Sequence, residues 1–524
     1  ASTLMTPGVY LEEKNAFPNS AVAVATAVPV FIGYTAYAER NGKSLVKVPT
    51  RITSFAEYVE GFGQGFNAKF TVADAGKDDL DVFSVNGVQK TVVASDNNTA
   101  YMFNSIRLFY ANGGGPCYIL SVGTYANEDS FEIKATDYEV LEILEKESEP
   151  TLVVLPDAIA LGEECYQIYT KVLAHCAKMQ SRFAILDVAK QGPAEETSEV
   201  INTFREAIGI NFLNYGAAYY PWLDTSVVQP DELDFENISG DLSALLPETD
   251  AKKIITKYNE DRKKFDPELK DLVAQREAAL TGGDAIVIVE AEVAVDAKTK
   301  DIVTAKKHLH QGLKAVSATY GNIINEIRIK LNQLPPSGAM AGIYTQVDNS
   351  RGVWKAPANV SVNMVNAPAV NISSEGQQNL NVDVMAGKSI NVIRSFPGIG
   401  SLVWGGRTLD GNSQDWRYIN VRRTLIMIEQ SIKLATRAYV FEANDANTWV
   451  TVKSMIENFL TNLWKQGALA GAGPEAAFDV QIGLGSTMTP TDILDGKMLI
   501  TVKVALVRPA EFIVITFQQQ QQTS

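Results

Sequence analysis

Cysteine, histidine and excess positive charge are all scarce in this chain. Three cysteines, Cys117, Cys165 and Cys176, among 524 residues cannot make a disulfide framework, and the odd number fits reduced thiols. With 46 basic against 61 acidic residues the net charge is −15. That argues against a nucleic-acid partner, because counterion release from a phosphate backbone needs a concentrated basic face. The longest strongly apolar run, residues 21–32, is interrupted by Pro29 and falls short of the roughly 20 residues of a spanning helix, so no membrane insertion is expected. The opening residues, ASTLMTPGVY, lack a basic start followed by an apolar segment and a cleavage site, and synthesis in the cytoplasm is the expectation. What is present is the composition of an ordinary folded protein, 46% hydrophobic and 20% charged, long enough at about 150 residues per domain for three or four domains.

The pattern along the chain predicts a multidomain α/β (α+β) protein. Residues 1–20 read as an extended arm, since Thr6, Pro7 and Gly8 block a helix before the short strand-like run that starts at Val9 and Tyr10. Residues 21–34 (AVAVATAVPVFIGY) have the small, β-branched character of a strand buried on both faces and ended by Gly33. TLVVLPD at 151–157, RFAILD at 182–187 and AAYYPWL at 217–223 alternate with helical segments, the mark of a parallel sheet with crossover helices. Two stretches interrupt this rhythm: residues 66–100, polar and β-rich, and residues 225–310. The second is charged, with a helix expected to start at Asp266-Pro267 and a β run at 285–295. Two long helices are expected at 420–440 and 447–466, the second with Trp449, Val452, Ile456, Phe459, Leu460, Leu463 and Trp464 on one stripe. Strands at 497–507 and 511–517 precede a polar tail.

Catalytic or cofactor chemistry finds little support. Gly61, Gly63 and Gly65, and the run Gly113-Gly114-Gly115, follow helices, whereas a phosphate cradle needs glycines between a strand and the helix N-terminus that faces the anion. They read as helix ends. Cys165, His175 and Cys176 lie on one predicted helix, and the adjacent pair diverges by about 100°, so buried helix positions are the better reading than a zinc site. His308 and His310, two apart on a helix, point to opposite sides. Asp187 ends a strand, a place where catalytic acids do occur, but without a partner motif a structural role is preferred. No catalytic, cofactor or metal residues are assigned.

More informative are TPGVYLEE (6–13), VPVFIGYT (28–35), IRLFYANGGGPCYILSV (106–122), PPSGAMAGIYTQVDNSRGVWKAPAN (335–359), WGGRTL (404–409), FLTNLWKQGALAG (459–471) and VRPAEFIVITFQQ (507–519). Together and in this order they resemble the tail sheath proteins of contractile phage tails and of phage-tail-like contractile injection systems. Residues 66–100 and 225–310 lie outside the resemblance and are read as surface insertions. The resemblance implies a non-enzymatic structural subunit that polymerises as stacked helical hexameric rings around an inner tube, then contracts to drive the tube through a target envelope. It implies as partners the chain itself, an inner tube protein, and baseplate and terminal cap proteins. Location would be cytoplasmic during assembly, then in a virion tail or an extracellular or cell-anchored particle.

The implied organisation is an N-terminal arm (1–20), an α/β middle domain with both insertions (21–340), a C-terminal assembly domain (341–508) and a C-terminal strand arm with its tail (509–524). The arms add strands to neighbouring subunits through Thr6, Pro7, Gly8, Val9 and Tyr10 at one end. At the other end Pro509, Ala510, Glu511, Phe512, Ile513, Val514 and Ile515 do the same. By analogy Lys453, Glu457 and Lys465 are the candidate tube contacts. The residues themselves agree that PAEFIVITF is an apolar strand which, left free, is an open edge. Two rivals stay open: an α/β enzyme with an unrecognised site, and a static self-assembling coat or surface-layer protein. Both termini could also pair within their own chain.

Overall fold

The computed structural model describes residues 21–515 except 78, 80, 96–99, 126–130, 193–194 and 283–284. Thr6, Pro7, Gly8, Val9 and Tyr10 of the expected N-terminal arm lie outside the described residues, as does the tail from 516 onward.

Eight strands make the central sheet: β1 (Pro29–Thr35), β2 (Thr50–Ile52), β3 (Cys117–Thr124), β4 (Leu152–Val154), β5 (Phe183–Asp187), β6 (Gly216–Tyr220), β7 (Ile390–Phe396) and β8 (Gly400–Val403). Their spatial order is β8-β7-β6-β5-β4-β1-β3-β2. The six inner strands are parallel and each edge strand is antiparallel to its neighbour. Every residue of β1, β4, β5 and β6 is buried, because helices cover both faces.

The helices used below are α1 (Met102–Ala111), α2 (Glu164–Met179), α3 (Thr197–Ala207), α4 (Thr249–Gly282), α5 (Ala285–Val316), α6 (Ser337–Arg351), α7 (Ile419–Thr436) and α8 (Ala446–Lys465). Strand residues alternate between two cores. Val30, Ile32, Leu120, Val153 and Leu186 pack against α2 and α3. Phe31, Ile119, Val154, Ile185 and Tyr219 pack against α1 and α6. The sheet runs across position 341, since β7 and β8 come from the later part of the chain. Residues 21–28, expected as strand, precede β1, which continues through Gly33 to Thr35. Gly33 therefore does not stop the strand. A Cβ there would sit 2.4 Å from Asp157 Oδ2, so glycine is needed for the close approach of that carboxylate.

The β-rich insertion forms a three-stranded antiparallel sheet of Phe70–Asp74, Val88–Ala94 and Phe83–Val85. The expectation for 225–310 needs correcting. The helix α4 begins at Thr249 and passes through Pro267. The supposed β run at 285–295 is the start of α5, where buried Val295, Ile302 and Leu309 recur every seven residues. That seam against α4 outweighs the β propensity of AIVIVEAEVAV, since propensity is a weak prior beside tertiary burial. Phe70, Phe83 and Val92 share one core with Leu309, Leu313 and Tyr320, so the two insertions build a single satellite unit. Among the described residues no helix is long and apolar enough to cross a membrane.

Candidate assembly interface

The C-terminal third builds its own small core. Asp445 caps α8, accepting the Thr448 N–H at 3.0 Å. Val452, Met455, Ile456, Phe459, Leu460 and Leu463 are buried on one side of the helix. They pack on a hairpin of β9 (Phe478–Ile482) and β10 (Ile500–Val504) and on Met427 and Ile428 of α7. Val480 is buried while Asp479 pairs across the strands with Lys503 at 3.5 Å, so one face of the hairpin is apolar and the other charged. The hairpin is a two-stranded sheet, and both of its outer edges lack a strand neighbour among the described residues.

From β10 the chain continues along α7. The side-chain amide of Asn420 donates to Val507 O at 3.0 Å. Pro509 is half-buried, Ala510 is exposed, and the next residue is held fast. Glu511 accepts from Arg407 Nε (2.9 Å) and Nη2 (2.7 Å), Asn381 Nδ2 (2.7 Å) and Tyr418 OH (3.1 Å). Burial would raise the Glu511 carboxyl, but these bonds and the Arg407 charge carry it below the usual carboxylate range. Beyond this anchor Phe512, Ile513, Val514 and Ile515 are 71%, 79%, 88% and 69% exposed. The strand expected at 511–517 is not formed over its described part, residues 511–515. The cause is physical: an extended segment becomes a strand only when a ladder partner takes its N–H and C=O groups.

The candidate tube residues lie on the side of α8 away from its core. Lys453 and Glu457 pair at 3.7 Å with side chains 44% and 40% exposed, and Lys465 is exposed in the last turn. Most of the remaining outer face is uncharged, with Ser454, Asn458 and Asn462 exposed.

Of the residues weighed for chemistry, His175, His310 and Asp187 have hydrogen-bond partners. Cys165, His175 and Cys176 are buried on α2, and His175 Nε2 lies 2.6 Å from Arg182, a fully buried arginine whose other donors meet the carbonyls of Leu144, Glu147 and Pro150. His310 Nδ1 meets Tyr320 OH at 2.7 Å. Among the described residues no three His, Cys, Asp or Glu side chains are grouped to hold a metal. Asp157 accepts the N–H groups of Tyr34, Tyr101 and Met102 at 2.7, 2.5 and 2.8 Å. Asp187 accepts from Ser337 N–H at 2.8 Å and Oγ at 2.5 Å, fixing the start of α6.

Burial lifts Asp187 from 3.8 to about 7, although both Ser337 bonds pull the other way. The folded state therefore holds this proton where the unfolded state has lost it. The resulting stability is complete below pH 4 and is lost as pH rises through about 7. Replacing Asp187→Asn should remove that slope. Urea titrations from pH 4 to 8 should show the variant matching the parent at the acid end and exceeding it by a few kcal/mol at the alkaline end, since each tenfold change in the proton's binding constant is worth about 1.4 kcal/mol. Parallel curves would show that Asp187 is ionised in the folded state throughout.

Sequence reasoning singled out the segment 509–515 but missed the side chains that hold Glu511. Arg407 and Glu511 are 104 positions apart, and no spacing rule links them. The one available signal was Arg407 set in the apolar WGGRTL, since a buried guanidinium demands an anion.

Residues 412–520 match the phage tail sheath C-terminal domain. The tail sheath protein of Vibrio phage KVP40 is 24% identical over 210 residues, 38% of this chain. The match covers 30% of that protein's length, and a second curated tail sheath protein, from Salmonella phage ViI, is matched over 22% of its own. Likeness over the whole chain comes from solved structures. The sheath complex of the extracellular contractile injection system PVC, in its contracted state, is 28% identical, covers 99% of both chains and has a TM-score of 0.59. A chain of the 6-fold symmetrised baseplate of the anti-feeding prophage is 28% identical, covering 99% of this chain and 100% of its own, with a TM-score of 0.57.

Proposed function

We infer that this chain is the sheath subunit of a contractile tail or injection particle, and that it works as a mechanical element with no catalytic step. It polymerises as stacked six-membered rings around an inner tube and shortens on a signal from the baseplate, driving the tube through a target envelope. Head-to-tail contacts that do not close into a point group generate such a helical tube. No nucleotide is needed if the long state is kinetically trapped.

The observation that carries this reading is the apolar run Phe512–Val514 with Ile515, exposed beyond a buried anchor, in a chain that follows a contracted sheath subunit over 99% of its length. We assign Pro509, Ala510, Glu511, Phe512, Ile513, Val514 and Ile515 to an arm that adds a strand to an open edge of the β9–β10 hairpin of a neighbour. Thr6, Pro7, Gly8, Val9 and Tyr10 are assigned the matching role at the other end. Strand addition supplies main-chain bonds while the bodies on either side stay free to rotate. Electron microscopy of purified particles tests the function: the sheath reading expects tubes of two lengths and diameters at constant subunit number. A single invariant form would favour a static coat.

The outer face of α8 is assigned to the tube. Lys453→Glu with Lys465→Glu should reduce co-sedimentation with the tube protein at least tenfold while sheath self-assembly persists. Each change should cost the exposed helix only a few tenths of a kcal/mol, through a like-charge pair with Glu457 and an anion in the last turn. Unaltered co-sedimentation would remove α8 from that interface.

A further inference from the structure

Both ends of the folded body are fastened to one helix. At the C-terminal end Asn420 holds Val507 O at 3.0 Å and Tyr418, which precedes α7, holds Glu511 at 3.1 Å. The main restraint there is the double bond pattern of Arg407 on Glu511, with side chains 4% and 18% exposed. At the N-terminal end Val24 N–H donates to Ser431 Oγ at 3.1 Å, and Thr26 O accepts from Arg423 Nη2 at 2.9 Å. The Thr26 hydroxyl donates to Asp348 at 2.6 Å. Arg423 meets that same carboxylate twice, at 3.0 and 2.6 Å, with both side chains 3% exposed, and lies 4.6 Å over the Tyr344 ring. At the C-terminal end the outgoing segment thus supplies the carboxylate of an arginine pair, and at the N-terminal end Thr26 bonds to both members of a pair that lies within the body.

The positions on α7 are not scattered. At 100° per residue Asn420, Arg423 and Ser431 fall within about 80° of each other and span roughly 16 Å of helix rise. We propose that each arm is moored to the body at one buried arginine–carboxylate pair beside α7, Arg407–Glu511 at the C-terminal end and Arg423–Asp348 at the N-terminal end, so that the pull between neighbouring subunits enters and leaves the subunit at these two points. This rests on the strand-exchange reading above and adds where the load enters and leaves the subunit.

The chemistry suits that task. Pulling the C-terminal arm away separates a bidentate arginine–carboxylate pair and strands a charge in a low-dielectric site, and pulling the N-terminal arm away takes from the buried Arg423–Asp348 pair the two bonds made by Thr26. The bonds of an exposed strand exchange with water and are weaker one by one. Under load the rooted ends hold while contacts between bodies rearrange.

The test uses full-length chain in assembled particles. Glu511→Gln weakens the C-terminal mooring, Arg423→Lys keeps the charge but loses the fork at the other end, and Arg508→Gln is the control, from an exposed side chain 3.9 Å from Asp415. Particles are driven to contract with a brief urea pulse, and gapped or broken sheaths are counted by electron microscopy. Both mooring variants should form long sheaths of normal length and then break at least tenfold more often than the parent, with the control unchanged. Unbroken contraction in both variants overturns the proposal. If long sheaths fail to form, melting of the unassembled chain decides: a parental melt supports misplaced arms, and a collapsed melt counts against the proposal by showing that the pairs serve the fold. Deleting residues 512–524 separates the two readings. Normal tubes from the deletion overturn strand exchange itself, whereas lost tubes together with unbroken Glu511→Gln sheaths overturn only the mooring.

Discussion

Deletion of residues 512–524 leaves a folded, soluble chain that no longer polymerises. Nothing in the body depends on Phe512, Ile513, Val514 or Ile515, which are all at least 69% exposed, and the anchor at Glu511 is kept. What the deletion removes is the ladder proposed between this segment and a neighbour. Four to six main-chain bonds at about 1 kcal/mol each make roughly 5 kcal/mol per arm, which corresponds to more than a thousandfold in the association constant. Size-exclusion chromatography and electron microscopy should find monomers where the parent gives tubes, with a far-ultraviolet spectrum and melting temperature close to the parent's. The truncated chain should also aggregate less, because an apolar edge segment is gone.

The second large effect lies in the helix pair α1 and α6. Gly338 and Gly342 are four apart and face α1 on one side of α6. A Cβ at Gly338 would lie 2.5 Å from Ser105 O, and one at Gly342 would lie 2.4 Å from Phe109 O and 2.9 Å from Asn112 Cβ. Glycine in a helix interior ordinarily costs about 1 kcal/mol relative to alanine, so the substitution would stabilise a helix with room beside it. Gly321, in the helix Ala318–Leu331, has nothing within 4 Å of the position its Cβ would take. Gly321→Ala should raise stability by about 0.5 to 1 kcal/mol. Gly338→Ala or Gly342→Ala should instead lower it by about 2 to 3 kcal/mol, since backbone blocks the added carbon and the helices must separate. The double variant should fall short of the sum, because one displacement of α6 relieves both clashes. Urea denaturation of the three variants measures this directly. The consequence reaches the N-terminal mooring, because α6 also carries Asp348, the partner of Arg423 and Thr26. A stabilising effect at Gly342 would show that the two helices are not in close contact.

Much of this architecture was legible in the chain, and the legible parts share a cause. The buried strands at 152–154, 183–187 and 216–220 stood out because a parallel strand covered on both faces must be apolar throughout. The helix α8 stood out because one-sided burial imposes a 3.6-residue period. What stayed hidden depends on partners distant in the chain. Gly33 reads as a strand end until Asp157 is seen against it. Residues 285–295 read as a strand because the seam that makes them helical lies with α4, and its buried positions are seven apart. The segment proposed as the arm was visible as an apolar run with no place in the local pattern. Its fastening was not, because Arg407, Tyr418 and Asn381 meet Glu511 only after the C-terminal segment has folded back over α7.

The central question is where residues 509–524 go in the assembled state. A cryo-electron microscopy map of the assembled tube, at a resolution that traces the main chain, should follow the density out of the Arg407–Glu511 pair and into an adjacent subunit. There Phe512 to Ile515 should lie hydrogen-bonded along an open edge of the β9–β10 hairpin. Density that turns back and pairs with the hairpin of its own subunit would contradict it.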